Sequence, residues 1–158
     1  MAMRVDYSRE QPEIRKAMLG VHNAIEASGL ERSIIELVNI RASQINGCAY
    51  CLSLHIPDAR KAGVSDEQIG LIAAWREAGN LFTERERAAL AWTEQNTLIS
   101  SSGEDDEAWG MVTAAYSDDE ALALTWAVAA INTWNRLAVP MRRPILHWKN
   151  DHETMAAS

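Results

Sequence analysis

Two cysteines stand three residues apart in Ile45-Asn46-Gly47-Cys48-Ala49-Tyr50-Cys51-Leu52-Ser53-Leu54-His55, and the chain has no others. Sulfurs at that spacing can cycle between dithiol and disulfide, or supply half of a mixed Cys/His metal site. Asn46-Gly47 is a turn dipeptide, and the stretch after it reads as a new helix. Cys48 and Cys51 then fall in its first turn, where free backbone N–H groups and the helix dipole favour a thiolate. Both project from one side, close enough for a disulfide. His55 lies four residues beyond Cys51 and seven beyond Cys48, on the same stripe, followed there by the small Ala59 and Ala62. A thiol pair, a base and open space before them suit a thiol redox centre. A zinc site needs a fourth ligand, and His22, His147 and His152 stand in no ligand-like spacing. No metal and no cofactor is expected.

The elements that must position this segment are helical. Ser or Thr followed three residues later by Glu or Gln marks a helix start, at Ser8–Gln11, Ser28–Glu31, Ser65–Gln68, Thr83–Glu86 and Ser117–Glu120. Stop signals lie between them at Gly29, Gly63, Gly79 and Gly103. The pattern predicts seven helices, over 9–27, 30–45, 48–62, 66–77, 84–98, 104–115 and 118–138, in an all-α fold. The helix over 30–45 reads as amphipathic, with Ile34, Leu37, Val38 and Ile45 on one face. That over 118–138 is apolar all round, which predicts burial on every side or contact with a second subunit. Asn132, Asn135 and Arg136 should bond neighbouring loops or another subunit. Pro57 cannot donate a bond to the carbonyl of Ser53, which predicts a kink or break beside His55. Trp75, Trp92, Trp109 and Trp126 stand 17 apart, read as core aromatics in chance register rather than an internal repeat.

Length and charge set the outer bounds. The 158 residues fit one domain, with only the termini, 1–8 and 150–158, expected to be poorly ordered. A net charge of −7 argues against nucleic acid and against anionic membrane surfaces. Residues 1–20 mix charged and apolar groups, unlike a signal peptide, and the apolar run from Ala121 to Ile131 is too short to span a bilayer. A cytoplasmic protein is expected.

Glu36, eleven intervening residues, then Cys48-Ala49-Tyr50-Cys51, three more and His55 together resemble the E-x11-C-x-H-C-x3-H signature of the AhpD-like alkylhydroperoxidases, a branch of the carboxymuconolactone decarboxylase family. The likeness extends through "LFTERERAALAWTE" and "AAINTWNRLAVPMR", covering roughly 28–142. The resemblance implies an all-helical protomer that forms a homo-trimer or homo-hexamer. It also implies reduction of a small peroxide at the expense of a dithiol or thioredoxin-like reductant. Carried over by position, Cys51 would be the thiol attacked first and Cys48 the resolving thiol, with His55 and Glu36 in the proton relay. Periodicity alone would put Glu36 opposite the apolar face, as a surface or capping residue. One position departs from the pattern: Tyr50 stands where the family has a histidine, and a phenol carries protons poorly near neutrality. On a regular helix Tyr50 points away from the Cys48–Cys51–His55 stripe.

Two other readings stay open. One is lyase chemistry of the carboxymuconolactone decarboxylase kind, which does not depend on the cysteine pair. The other is a non-enzymatic redox sensor whose disulfide switches assembly.

Overall fold

The computed structural model describes residues 2–103 and 106–146. Its elements run α1 (Pro12–Glu26), α2 (Arg32–Ile45), α3 (Ala49–Lys61), α4 (Asp66–Leu71), a 3-10 segment (Ile72–Glu77), α5 (Glu84–Thr97), α6 (Ile99–Ser102), α7 (Asp106–Ala115) and α8 (Asp118–Ala138). The all-α expectation holds, with no strand among the described residues. The predicted helix over 66–77 tightens at Ile72, where Ala74 leaves helical dihedrals. The single turn of α6 was not expected.

Three of the five start signals form reciprocal capping boxes, at Ser65/Gln68, Thr83/Glu86 and Ser117/Glu120. The other two do different work. Pro12 opens α1 on its own, because its fixed φ suits the first turn and its missing N–H is not needed there. Ser8 turns instead to the Asp6 carboxylate. The Ser28 hydroxyl donates to the Ile25 carbonyl and so closes α1 rather than opening α2.

The central helix is α2, packed against α3, α5 and α8. Ile34, Ile35, Leu37, Val38 and Ile40 are all buried, but so are Glu36, Asn39 and Ser43. The amphipathic reading of this helix is therefore corrected: it is buried nearly all round, because its polar groups find partners on neighbouring helices. Each large aliphatic side chain withdrawn from water contributes about 1.5–3 kcal/mol, so α2 anchors the fold and holds Glu36 and Asn39 rigidly. Of the two readings of α8, burial on every side within one chain does not hold. Its inner side is buried, whereas Leu122 and Trp126 are 58% and 56% exposed.

The tryptophan reading also changes. Trp75 is buried, but Trp109 and Trp126 lie at the surface, and Trp92 packs on Trp109 with ring centroids 5.3 Å apart. Residues 2–8 make contacts with the far end of the chain. The Arg4 N–H donates to the Met141 carbonyl, and Asp6 pairs with Arg143 at 2.7 Å, tying this segment to the chain beyond α8. Residues 150–158 lie outside the described part. Among the described residues, no helix is long and apolar enough to cross a membrane.

Candidate functional site

The α2–α3 junction sets the position of both sulfurs. Gly47 takes φ +66°, a conformation that L side chains rarely adopt. Its N–H donates to the Gln44 carbonyl at 3.3 Å, while the Cys48 N–H donates to that of Ser43 at 2.9 Å. This pair of bonds is the Schellman closure, which turns the chain sharply and consumes carbonyls that the helix end would leave bare. From α8, Asn132 and Asn135 clamp the turn: the Asn46 amide donates to their side-chain oxygens at 2.9 and 2.8 Å. The Asn135 amide in turn donates to the Ser43 hydroxyl at 3.1 Å. The sequence expectation that these asparagines bond a neighbouring loop is met.

Cys48 stands just before α3 rather than inside its first turn. Its sulfur accepts the N–H of Cys51 at 3.2 Å, acting as the helix cap. Cys48 and Cys51 form a disulfide, with Cα atoms 5.3 Å apart. One turn further along α3, His55 is buried. The helix continues through Pro57, so the expected break does not occur. Ser53 is occupied elsewhere: its hydroxyl donates to the Tyr50 carbonyl at 2.7 Å and accepts the Leu146 N–H at 3.0 Å.

His55 Nδ1 lies 2.8 Å from Glu36 Oε2. The Asn39 amide donates to the same carboxylate oxygen at 3.4 Å and lies 3.3 Å from the same ring nitrogen. With Nδ1–H directed at Glu36, the ring has its Nε2 lone pair available for a proton. Glu36 is 0% exposed, so the surface placement that periodicity suggests is corrected. A carboxylate so deeply buried persists only when paired. Arg32 supplies the counter-charge, 2.7 Å from Oε1. Because Oε1 has no aligned hydrogen-bond donor, that attraction is coulombic. Arg32 also pairs with Glu26, whose carboxylate lies 3.1 Å from His22 Nε2. Alternating charges thus link His55 to a second histidine on α1. Burial, and then the charges of His55 and Arg32, hold the His22 pKa below its ordinary value. Glu26 does not reverse this, since Arg32 engages the same oxygen; the neutral ring can donate its Nε2–H there.

A cavity of about 420 Å³ opens over Cys51 and His55. Its apolar wall includes Leu19, Ile25, Ile35, Leu54, Ile131 and Trp134. Beside Cys51 and His55, its polar groups are Tyr7, Ser8, Arg15, His22, Asn39, Tyr50 and Arg143. Cys51 reaches the cavity, whereas Cys48 is not among its lining residues. Tyr50, expected to point away, also lines it, because the opening spans adjacent sides of α3. The Arg143 guanidinium lies 5.4 Å from the Tyr50 ring centroid. The four sequence candidates Cys48, Cys51, His55 and Glu36 are therefore brought together. Spacing gave no signal for Asn39, His22, Arg15 or Arg143, which come from elements distant along the chain. His147 and His152, considered as further metal ligands, lie outside the described residues.

Residues 12–95 match the model of the carboxymuconolactone decarboxylase family. The uncharacterised protein YdfG of Bacillus subtilis is 36% identical over 141 residues, spanning 89% of this chain and 95% of its own length. The chain belongs to the carboxymuconolactone decarboxylase family. Within it, a 47-residue stretch is 45% identical to the alkyl hydroperoxide reductase AhpD of Hyphomonas neptunium, covering 30% of this chain and 26% of that protein. In three dimensions the chain is similar to a protein of unknown function from Agrobacterium tumefaciens, described as a candidate antioxidant defence protein AhpD. That likeness has a TM-score of 0.88 at 40% identity and covers 92% of this chain and 99% of the other.

Proposed function

We propose that this family member is a thiol-dependent peroxidase and disulfide oxidoreductase of the AhpD type. The observation that carries this reading is the asymmetry of the Cys48–Cys51 pair, in which only Cys51 faces the cavity that His55 also lines. In the dithiol state, His55 Nε2 takes the Cys51 proton while Glu36 holds the ring through Nδ1. The Cys51 thiolate attacks the terminal oxygen of a hydroperoxide ROOH. An S–O bond forms, the O–O bond breaks, and RO⁻ leaves as ROH with the proton carried by His55. Cys51 is then a sulfenic acid. Cys48 attacks it, expelling water and forming the disulfide.

An external dithiol closes the cycle by attacking the cavity-facing Cys51 sulfur and is itself oxidised to a disulfide. Cys48 departs as a thiolate that accepts the Cys51 N–H at the start of α3, which makes it the better leaving group. Tyr50 removes the histidine that the family carries beside the second cysteine, so the relay is shortened to Glu36–His55. We place the reaction in the cytoplasm, where dithiol reductants are supplied. The exposed Leu122 and Trp126 of α8 suit a contact between copies in a homo-trimer or homo-hexamer.

The test is peroxide consumption fed by a dithiol, measured for the protein and for Cys51→Ser and Cys48→Ser. Loss of turnover in both variants is expected. Full activity in both would overturn the thiol reading, and lactone turnover indifferent to the cysteines would favour the lyase alternative.

A further inference from the structure

We infer that the cavity over Cys51 is a binding site for an apolar organic anion, with Arg15 as its anion-holding group. The first observation is size. A water molecule occupies about 30 Å³ of liquid and hydrogen peroxide is only slightly larger, so a cavity of about 420 Å³ is many times larger than the smallest peroxide needs. Cavities of that volume hold medium-sized organic molecules.

The second observation is the sign of the wall. Among the described residues no Asp or Glu lines the cavity, although the whole chain carries a net charge of −7. Its charged groups are Arg15 and Arg143, and its imidazoles are His22 and His55. The carboxylates stand one layer back: Glu36 behind His55, Glu26 behind His22 and Asp6 on Arg143. Arg143 thereby has a carboxylate partner, which it shares with Arg9. No carboxylate is paired with Arg15 among the described residues, which leaves an unmatched positive charge on a wall that is mostly apolar by area.

The third observation is depth. Arg15, Leu19, His22 and Ile25 descend one face of α1 into the cavity, from exposed at Arg15 to buried at Ile25. Ten residues of helix span about 15 Å. A ligand with its anionic group at Arg15 can therefore lay a chain or ring along Leu19 and Ile25. This inference deepens the thiol-peroxidase reading, on which its chemistry rests, by naming the substrate class as an organic hydroperoxide that bears an anionic group. The binding itself does not depend on that reading.

Calorimetric titration of the full chain with decanoate, decanol and decyltrimethylammonium provides the test. Decanoate should bind at least tenfold more tightly than either other probe. In Arg15→Gln, checked for an unchanged melting curve, its affinity should fall to that of decanol. Ala130→Trp, which adds bulk at the cavity wall, should weaken decanoate and decanol together. Equal binding of all three probes, or an unaltered decanoate preference in Arg15→Gln, overturns the inference. A second arm compares kcat/KM for a fatty-acid hydroperoxide with that for neutral cumene hydroperoxide. Selective decanoate binding without turnover of either peroxide would remove the thiol reading and leave the binding site. Turnover of both peroxides without any decanoate preference would do the reverse.

Discussion

Replacing Glu36 with Gln removes one negative charge from the centre of α2 while keeping the volume. The carboxylate is wholly buried and holds His55 Nδ1 at 2.8 Å, with the Asn39 amide at 3.4 Å and Arg32 at 2.7 Å. Arg32 is partly exposed and keeps Glu26, so its share of the loss is small. The main cost is one charge-assisted buried hydrogen bond, about 1.5–3 kcal/mol. In a domain of this size each kcal/mol moves Tm by about 2–4 °C, giving a fall of about 3–12 °C. Function should suffer more than stability. A Gln amide can face Nδ1 with either its oxygen or its NH2 group, and the second choice places the ring proton on Nε2, where the base is needed. General acid–base catalysis is worth about 10²–10⁴ in rate, and Glu36→Gln should lose most of it. The assay pairs a thermal melt with initial rates of peroxide consumption at saturating dithiol. A folded Glu36→Gln that turns over within threefold of the parent would refute the relay.

Three further outcomes follow from the geometry. Gly47→Ala meets no atom within 4 Å but must hold φ +66°, so it should cost about 1–2 kcal/mol, visible as a lower Tm; an unchanged melt would contradict the turn's strain. Asn135→Leu removes the donor to the Ser43 hydroxyl and one of the two acceptors of the Asn46 amide, which keeps Asn132; this should cost about 1–3 kcal/mol for each group left bare and quicken amide exchange across 46–51. Unaltered exchange there would deny α8 its clamping role. For His22, whose folded pKa is lowered, the unfolded chain binds the proton first as pH falls below the ordinary imidazole value of about 6.5. Its neutral form favours the fold above that value, and this contribution is lost as pH falls toward the folded pKa. His22→Gln should therefore show a shallower loss of stability from pH 7 to pH 5 in denaturant titrations, and equal slopes would count against its burial.

The local chemistry was legible because it is local. Cys51 and His55 share α3 and Cys48 caps it, so their spacing alone brings the three together. The capping boxes at Ser65, Thr83 and Ser117 were legible for the same reason, since each needs only residues three apart. Glu36 was legible only through the family signature. Amphipathicity treats a polar side chain as solvent-facing, whereas Glu36, Asn39 and Ser43 meet His55 and Asn135 on other helices. The converse assumption, that an apolar side chain is covered by its own chain, fails on α8 at Leu122 and Trp126, which face outward. His22 and Arg15 had no sequence signal at all. They join the cavity because α1 packs against α8 and descends beside Cys51, a contact that no spacing encodes.

The polarity of the cysteine pair is the point on which the mechanism turns, and sulfenic acid trapping reads it directly. Reduced Cys48→Ser is treated with limiting hydroperoxide in the presence of a 1,3-dione, digested, and analysed by mass spectrometry. The thiol mechanism predicts a single adduct on Cys51, and no adduct on Cys48 when Cys51→Ser is treated in the same way. An adduct on Cys48 in Cys51→Ser, with none on Cys51 in Cys48→Ser, would contradict it.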